Sequence, residues 1–207
     1  MTKIILCAAA FAVSAFSAQA QDKKLEFGVK AGANLTTFTG DFEDAEVKPG
    51  FHAGGIANYH FNESFGLQAE VLYSLQGAKS GYEETDFGTT FKNVRVNLSY
   101  INVPVLAKYE LKNVRGLSFG FGPQVGVLVS AKQKFDAVSG GSTSEESEDI
   151  KDQLKTVDFS VIGDVEYKLA SNIFFSVRGQ LGVSNVNDVG NDKVHNAGLS
   201  LSGGYRF

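Results

Sequence analysis

The sequence predicts an all-β chain, an eight-stranded antiparallel up-and-down transmembrane β-barrel. Three observations carry this expectation. Apolar and polar residues alternate with a period of two through eight separate stretches. Each stretch keeps its apolar set on odd residue numbers. Paired residues of a hairpin share a face, so constant parity is what a closed meander requires. The connections are short and long in strict alternation, the pattern of outer-membrane barrels with short turns on one side and long loops on the other.

The first residues read as a targeting segment. Met1-Thr2-Lys3 is a short positive region, Ile4 to Phe16 is apolar, and Ala18-Gln19-Ala20 is an A-x-A cleavage pattern. Residues 1–20 are therefore expected to be a signal peptide, and residues 21–207 the barrel domain. The single cysteine, Cys7, falls inside that segment, so no disulfide staples the mature chain.

The first strand runs from Leu25 to Thr36, with Leu25, Phe27, Val29, Ala31, Ala33 and Leu35 on one face. A polar loop, 37–49, leads to a second strand at 50–61, and Asn62-Glu63-Ser64 turns it back. The third strand covers 65–77 and precedes a loop at 78–93. The fourth, 94–111, contains the clearest alternation of all. From Ile101 the odd positions are Ile, Val, Val, Ala, Tyr and Leu, against Asn, Pro, Leu, Lys and Glu on the even ones. Arg95, Asn97 and Ser99 precede it, so the apolar band of this strand begins only at Ile101. A turn at 112–116 leads to the fifth strand, 117–131. The region 132–155 reads as a long solvated loop containing Glu145-Glu146-Ser147-Glu148-Asp149. Strands at 156–169, 173–184 and 195–207 complete the set, joined by Ala170-Ser171-Asn172 and a loop at 185–194.

Eight strands allow a soluble barrel with a greasy lumen or a membrane barrel with the inverse pattern. Here the apolar face carries no charge within the bands. It ends in aromatics at the short-turn end (Tyr59, Phe65, Tyr109, Tyr167, Tyr205 and Phe207), as an interfacial girdle does. The polar face is then the lumen. It is expected to hold a structural charge network of Lys30, Glu70, Lys108, Glu110, Asp164, Glu166, Lys168, Arg178 and Arg206, since a buried charge requires a partner. A mean hydropathy of −0.07 is consistent, because alternation hides a barrel from an average.

Composition excludes other classes. Net charge is −4 and no basic stripe occurs, which argues against nucleic acid. After the targeting segment, no apolar run reaches the ~18 residues of a helical span. His52, His60 and His195 show no ligand spacing, so neither a metal nor another cofactor is expected. His52 and His195 are placed near the long-loop rim, where a lipid-modifying enzyme would need them, but no His-x-Ser or Asp-Ser pattern accompanies them. Each long loop is net acidic.

Several motifs carry a resemblance. Tyr-Ile-Asn-Val-Pro-Val-Leu-Ala-Lys-Tyr (100–109), Gly122-Pro123-Gln124-Val125-Gly126, Asp158-Phe159-Ser160-Val161-Ile162-Gly163 and Arg178-Gly179-Gln180-Leu181-Gly182 are similar to outer-membrane β-barrel proteins of Bacteroidetes, the PorT-like "porin family". The resemblance extends over 21–207. It implies a Gram-negative outer-membrane location, and no single activity. Terminal Tyr205 and Phe207 resemble the signal read by the barrel-assembly machinery. The expected protein is a monomer in outer-membrane lipid, non-enzymatic, meeting external or envelope protein partners through its acidic loops. Passive transport of a small solute and lipid modification are the alternatives.

Overall fold

The computed structural model describes residues 24–41, 45–81, 83–86, 89–139 and 142–207, so the expected signal peptide lies outside it. The strands are β1 (Leu25–Gly40), β2 (Ala45–His60), β3 (Phe65–Ser80), β4 (Glu84–Asp86), β5 (Thr89–Glu110), β6 (Leu117–Ser139), β7 (Ser142–Asp149), β8 (Val157–Lys168), β9 (Ile173–Gly182) and β10 (Val194–Arg206). Eight of them form a closed antiparallel ring in the order β5-β3-β2-β1-β10-β9-β8-β6, with β6 pairing back onto β5. First and last strands pair from Gly28↔Arg206 to Gly40↔Val194, so the ring has no open edge. β4 and β7 fold back on the ends of β5 and β6 beyond the ring.

Parity decides which face is which. Odd-numbered apolar side chains point outward, with Phe121 66% and Leu181 68% exposed, and Val29, Val71 and Leu201 close behind. A continuous apolar exterior of this kind suits hydrocarbon and not water. Aromatic pairs line the short-turn end of that belt: Tyr59–Phe61, Phe65–Tyr109 and Tyr205–Phe207 have ring centroids 5.3, 5.0 and 5.8 Å apart.

The long-connection end differs from the expectation. β1, β2, β3, β5 and β6 all continue past the predicted boundaries, and most of 37–49 and 78–93 is strand. The region 132–155 is not a solvated loop. It is the outer part of β6, the hairpin strand β7 and a 3₁₀ turn at Lys151–Gln153. β7 is exposed on every residue, so its sequence lacks the alternation that marks a strand.

Above the membrane the pattern inverts. In β5, Val96, Leu98 and Tyr100 are buried inside while Arg95, Asn97 and Ser99 point out. In β6 a bulge performs the same exchange. Ser99 pairs Ser130 and Tyr100 pairs Leu128, so Val129 has no opposite residue. Leu128 and Ala131 consequently both face inward, and the odd-outward rule fails beyond Val129. The outer end therefore has an apolar core of its own, built from Phe38, Ala78, Val96, Leu98, Tyr100, Leu128, Ala131, Ile150, Val186 and Val194.

Candidate functional site

The site is the lumen, because even-numbered side chains of every ring strand converge there. At its middle lies a charge network. The Arg178 guanidinium on β9 donates twice to Glu70 on β3, at 2.8 and 2.6 Å, and once through Nε to Asp164 on β8 at 3.3 Å. Lys108 on β5 donates to the other Asp164 oxygen at 2.9 Å and lies 3.6 Å from Glu166. Lys30 on β1 stands 3.9 Å from both Glu70 and Asp164. One level nearer the short turns, Arg206 pairs with Glu166, and Gln68 joins the two levels by bonding both Arg206 and Glu70. All seven of these charged side chains are buried. Six ring strands supply them, so the network ties opposite walls of the barrel together.

Glu110 and Lys168 are placed differently. They lie half-exposed at the short-turn mouth, outside the buried network. There Glu26, which the sequence reading did not single out, takes Lys168 at 3.4 Å and Arg206 at 3.7 Å. His60 sits between Glu26 and Glu110, 3.4 and 3.5 Å from their carboxylates. The inward Phe174 of β9 fills the same end, with the Arg206 guanidinium 5.1 Å from its ring centre. Gly204 makes room for it, since a Cβ there would lie 2.2 Å from the ring. The terminal aromatics Tyr205 and Phe207 face outward.

Beyond the network, toward the outer end, a polar chamber of about 30 Å³ is lined by Asn34, His52, Ser74, Gln76, Asn102 and Gln124, among others. It has room for about two waters. His52 is here, 4% exposed, and not at the rim where the sequence reading put it. Its even number already assigned it to the lumen. One ring nitrogen meets Asn34 Oδ1 at 2.7 Å and the other meets Ser202 Oγ at 2.9 Å. The order Ser–His–Asn is that of a nucleophile, a base and an orienting group. All three are buried, and His52 and Ser202 both stand opposite Gly32 of β1, so the arrangement is a hydrogen-bond bridge along one wall, over the neighbouring strands β2, β1 and β10. His195, half-buried at the outer end, bonds the Ser184 carbonyl at 2.8 Å. No metal-ligand cluster occurs among the described residues.

Above the chamber Asp158 accepts from Ser184 Oγ at 2.6 Å and Asn196 Nδ2 at 3.0 Å, and Tyr100 closes over them. The apolar core then fills the outer end. The lumen is thus blocked twice, by fixed charges at the level of the apolar belt and by packed hydrocarbon beyond it. The second block was missed from sequence, although Val94, Val96, Leu98 and Tyr100 on even positions carried its signal.

A family model described as outer membrane protein beta-barrel domain matches residues 18–188. No curated protein matches. Solved structures do. Neisserial surface protein A is 17% identical with a TM-score of 0.50, covering 87% of this chain and 97% of that one. Ail, the attachment invasion locus protein of Yersinia pestis, in complex with the heparin analogue sucrose octasulfate, is 15% identical with a TM-score of 0.50, covering 89% and 99%. At these identities the likeness shows the fold alone.

Proposed function

Because the chain belongs to the outer membrane protein beta-barrel domain family, we propose that it is a non-enzymatic, non-conducting barrel whose working surface is its outer end. The observation that carries this is the double block of the lumen. Eight strands leave space only for side chains, and here charged residues and then apolar ones fill it. Passive transport would need an uninterrupted water path, and the Arg178–Glu70–Asp164 level interrupts it. Lipid modification would need a His–Ser contact on the lipid face, whereas the His52–Ser202 contact lies in the lumen.

In this reading the charge network is structural, holding the walls in register while outer-membrane lipid surrounds the belt. Residues 1–20 are removed after Ala20, both termini of the mature barrel lie on the periplasmic side, and Tyr205 and Phe207 present the assembly signal. The PorT-like resemblance supports a source among Bacteroidetes. The chain works as a monomer that meets extracellular or envelope proteins through β7 and the outer connections. These are acidic, so a polyanion such as the sulfated sugar bound to the Yersinia protein is disfavoured, and a cationic partner is favoured.

Single-channel recording of the folded chain in planar bilayers tests the reading. Silence is expected from protein whose heat-modifiable gel migration shows it folded. Discrete open levels that change with Lys108→Ala would replace the sealed barrel with a conducting one.

A further inference from the structure

We infer that the outer mouth of the barrel is a preformed pocket for a branched apolar group with a cationic amine beside it, as at a peptide N-terminus bearing Leu or Val. The inference rests on the outer end being the partner-facing end, and adds the chemistry that end selects. The pocket floor is the top of the outer apolar core, Val96, Ile150, Val186 and Val194, and Leu154 forms one wall. The cavity measures about 200 Å³. Gln133, Gln153 and Asn187 also line it, so the apolar part takes a small branched group of about five heavy atoms and leaves polar space beside it.

Main-chain bonds fix the walls before any ligand arrives. Lys155 N donates to Val186 O at 2.9 Å, Asp188 N to Gln153 O at 3.0 Å, Val186 N to Val194 O at 2.8 Å and Asp41 N to Lys193 O at 2.8 Å. Little ordering cost then remains to be met on binding. The rim supplies the selectivity. Asp41 and Asp192 are the charged residues that line the cavity, and no cationic side chain lines it among the described residues. Asp41 Oδ2 already accepts the Lys193 amide at 2.9 Å, which holds that carboxylate in place. A cation at the rim meets two acids, whereas an anion meets repulsion. A second copy of this acidic surface would be repelled for the same reason.

The test is methyl NMR of the full folded chain in detergent micelles, with labelled Val, Leu and Ile, titrated with 3-methylbutylamine. The Val96, Ile150, Leu154, Val186 and Val194 methyl signals should shift saturably, with a Kd on the order of 1 mM. The isosteric acid 3-methylbutanoate should bind about tenfold more weakly. Asp41→Asn with Asp192→Asn should erase that preference, since Asn keeps the acceptor for the Lys193 amide. Leu154→Phe should fill the cavity and abolish binding, with heat-modifiable migration confirming the fold. Equal binding of amine and acid overturns the inference. So do shifts confined to lipid-facing Leu199 and Leu201, which would report partition into the micelle. Either failure leaves single-channel silence intact, so the pocket can fall without the sealed barrel.

Discussion

Replacing Arg178 with Met distinguishes a dry, interlocked lumen from a wet one. The substitution removes both close donors to Glu70 and the Nε contact to Asp164. Asp164 keeps Lys108 at 2.9 Å, but Glu70 is left with Gln68 and with Lys30 at 3.9 Å. A buried carboxylate stripped of its partner costs about 3–5 kcal/mol. The same pair in a water-filled lumen would be worth only about 0–1 kcal/mol. The two cases differ by roughly thirtyfold or more in the unfolding equilibrium, since 1.4 kcal/mol is a factor of ten. Reversible urea unfolding in lipid vesicles, followed by heat-modifiable migration, reads that difference. Arg178→Met combined with Glu70→Met should recover most of the loss, because replacing a buried pair by apolar groups is often neutral. A loss below about 1 kcal/mol for the single variant, with no recovery in the double one, would refute the argument.

Four further outcomes are expected. Gly204→Ala should destabilise by about 1–3 kcal/mol, and Phe174→Leu should rescue it only in part, because the new Cβ would meet the Val29 carbonyl as well as the Phe174 ring. Leu98→Ala should cost about 2–5 kcal/mol in the same unfolding assay, since the side chain is fully buried in the outer core. Ser202→Ala should cost only about 1 kcal/mol, and a fluorophosphonate probe should leave Ser202 unlabelled, because its side chain is buried. Deleting Phe207 should slow assembly in cells, read as unfolded precursor accumulating in the periplasm, while purified protein refolds in detergent.

The ring of strands was legible because lipid imposes a strict rule. Each residue within the bilayer faces either hydrocarbon or lumen, so parity alone sorted Lys30, Glu70, Asp164 and Arg178 inward and Phe121 and Leu201 outward. The rule lapses where water covers the exterior. Ser142 to Asp149 is exposed on every residue, so a paired strand there looks compositionally like a solvated loop. The bulge at Val129 was hidden for another reason. It shows only in the pairing of Ser99 and Tyr100 across to β6, and no local pattern in β6 specifies it. Glu110 and Lys168 were grouped with the network because parity gives direction but not depth. The His52–Ser202 contact joins residues 150 apart in sequence, which no spacing rule reaches.

The outer apolar core also bears on how the barrel enters its membrane. Its members come from β1, β3, β5, β6 and β10 and from the segments around Ile150 and Val186. None of them can bury its side chain until its own hairpin end has crossed the bilayer, and the cluster is complete only when all have. Each arrival adds about 1.5–3 kcal/mol of burial for a large side chain. The closed cluster therefore stabilises the completed barrel over any state in which one of these strand ends is still missing.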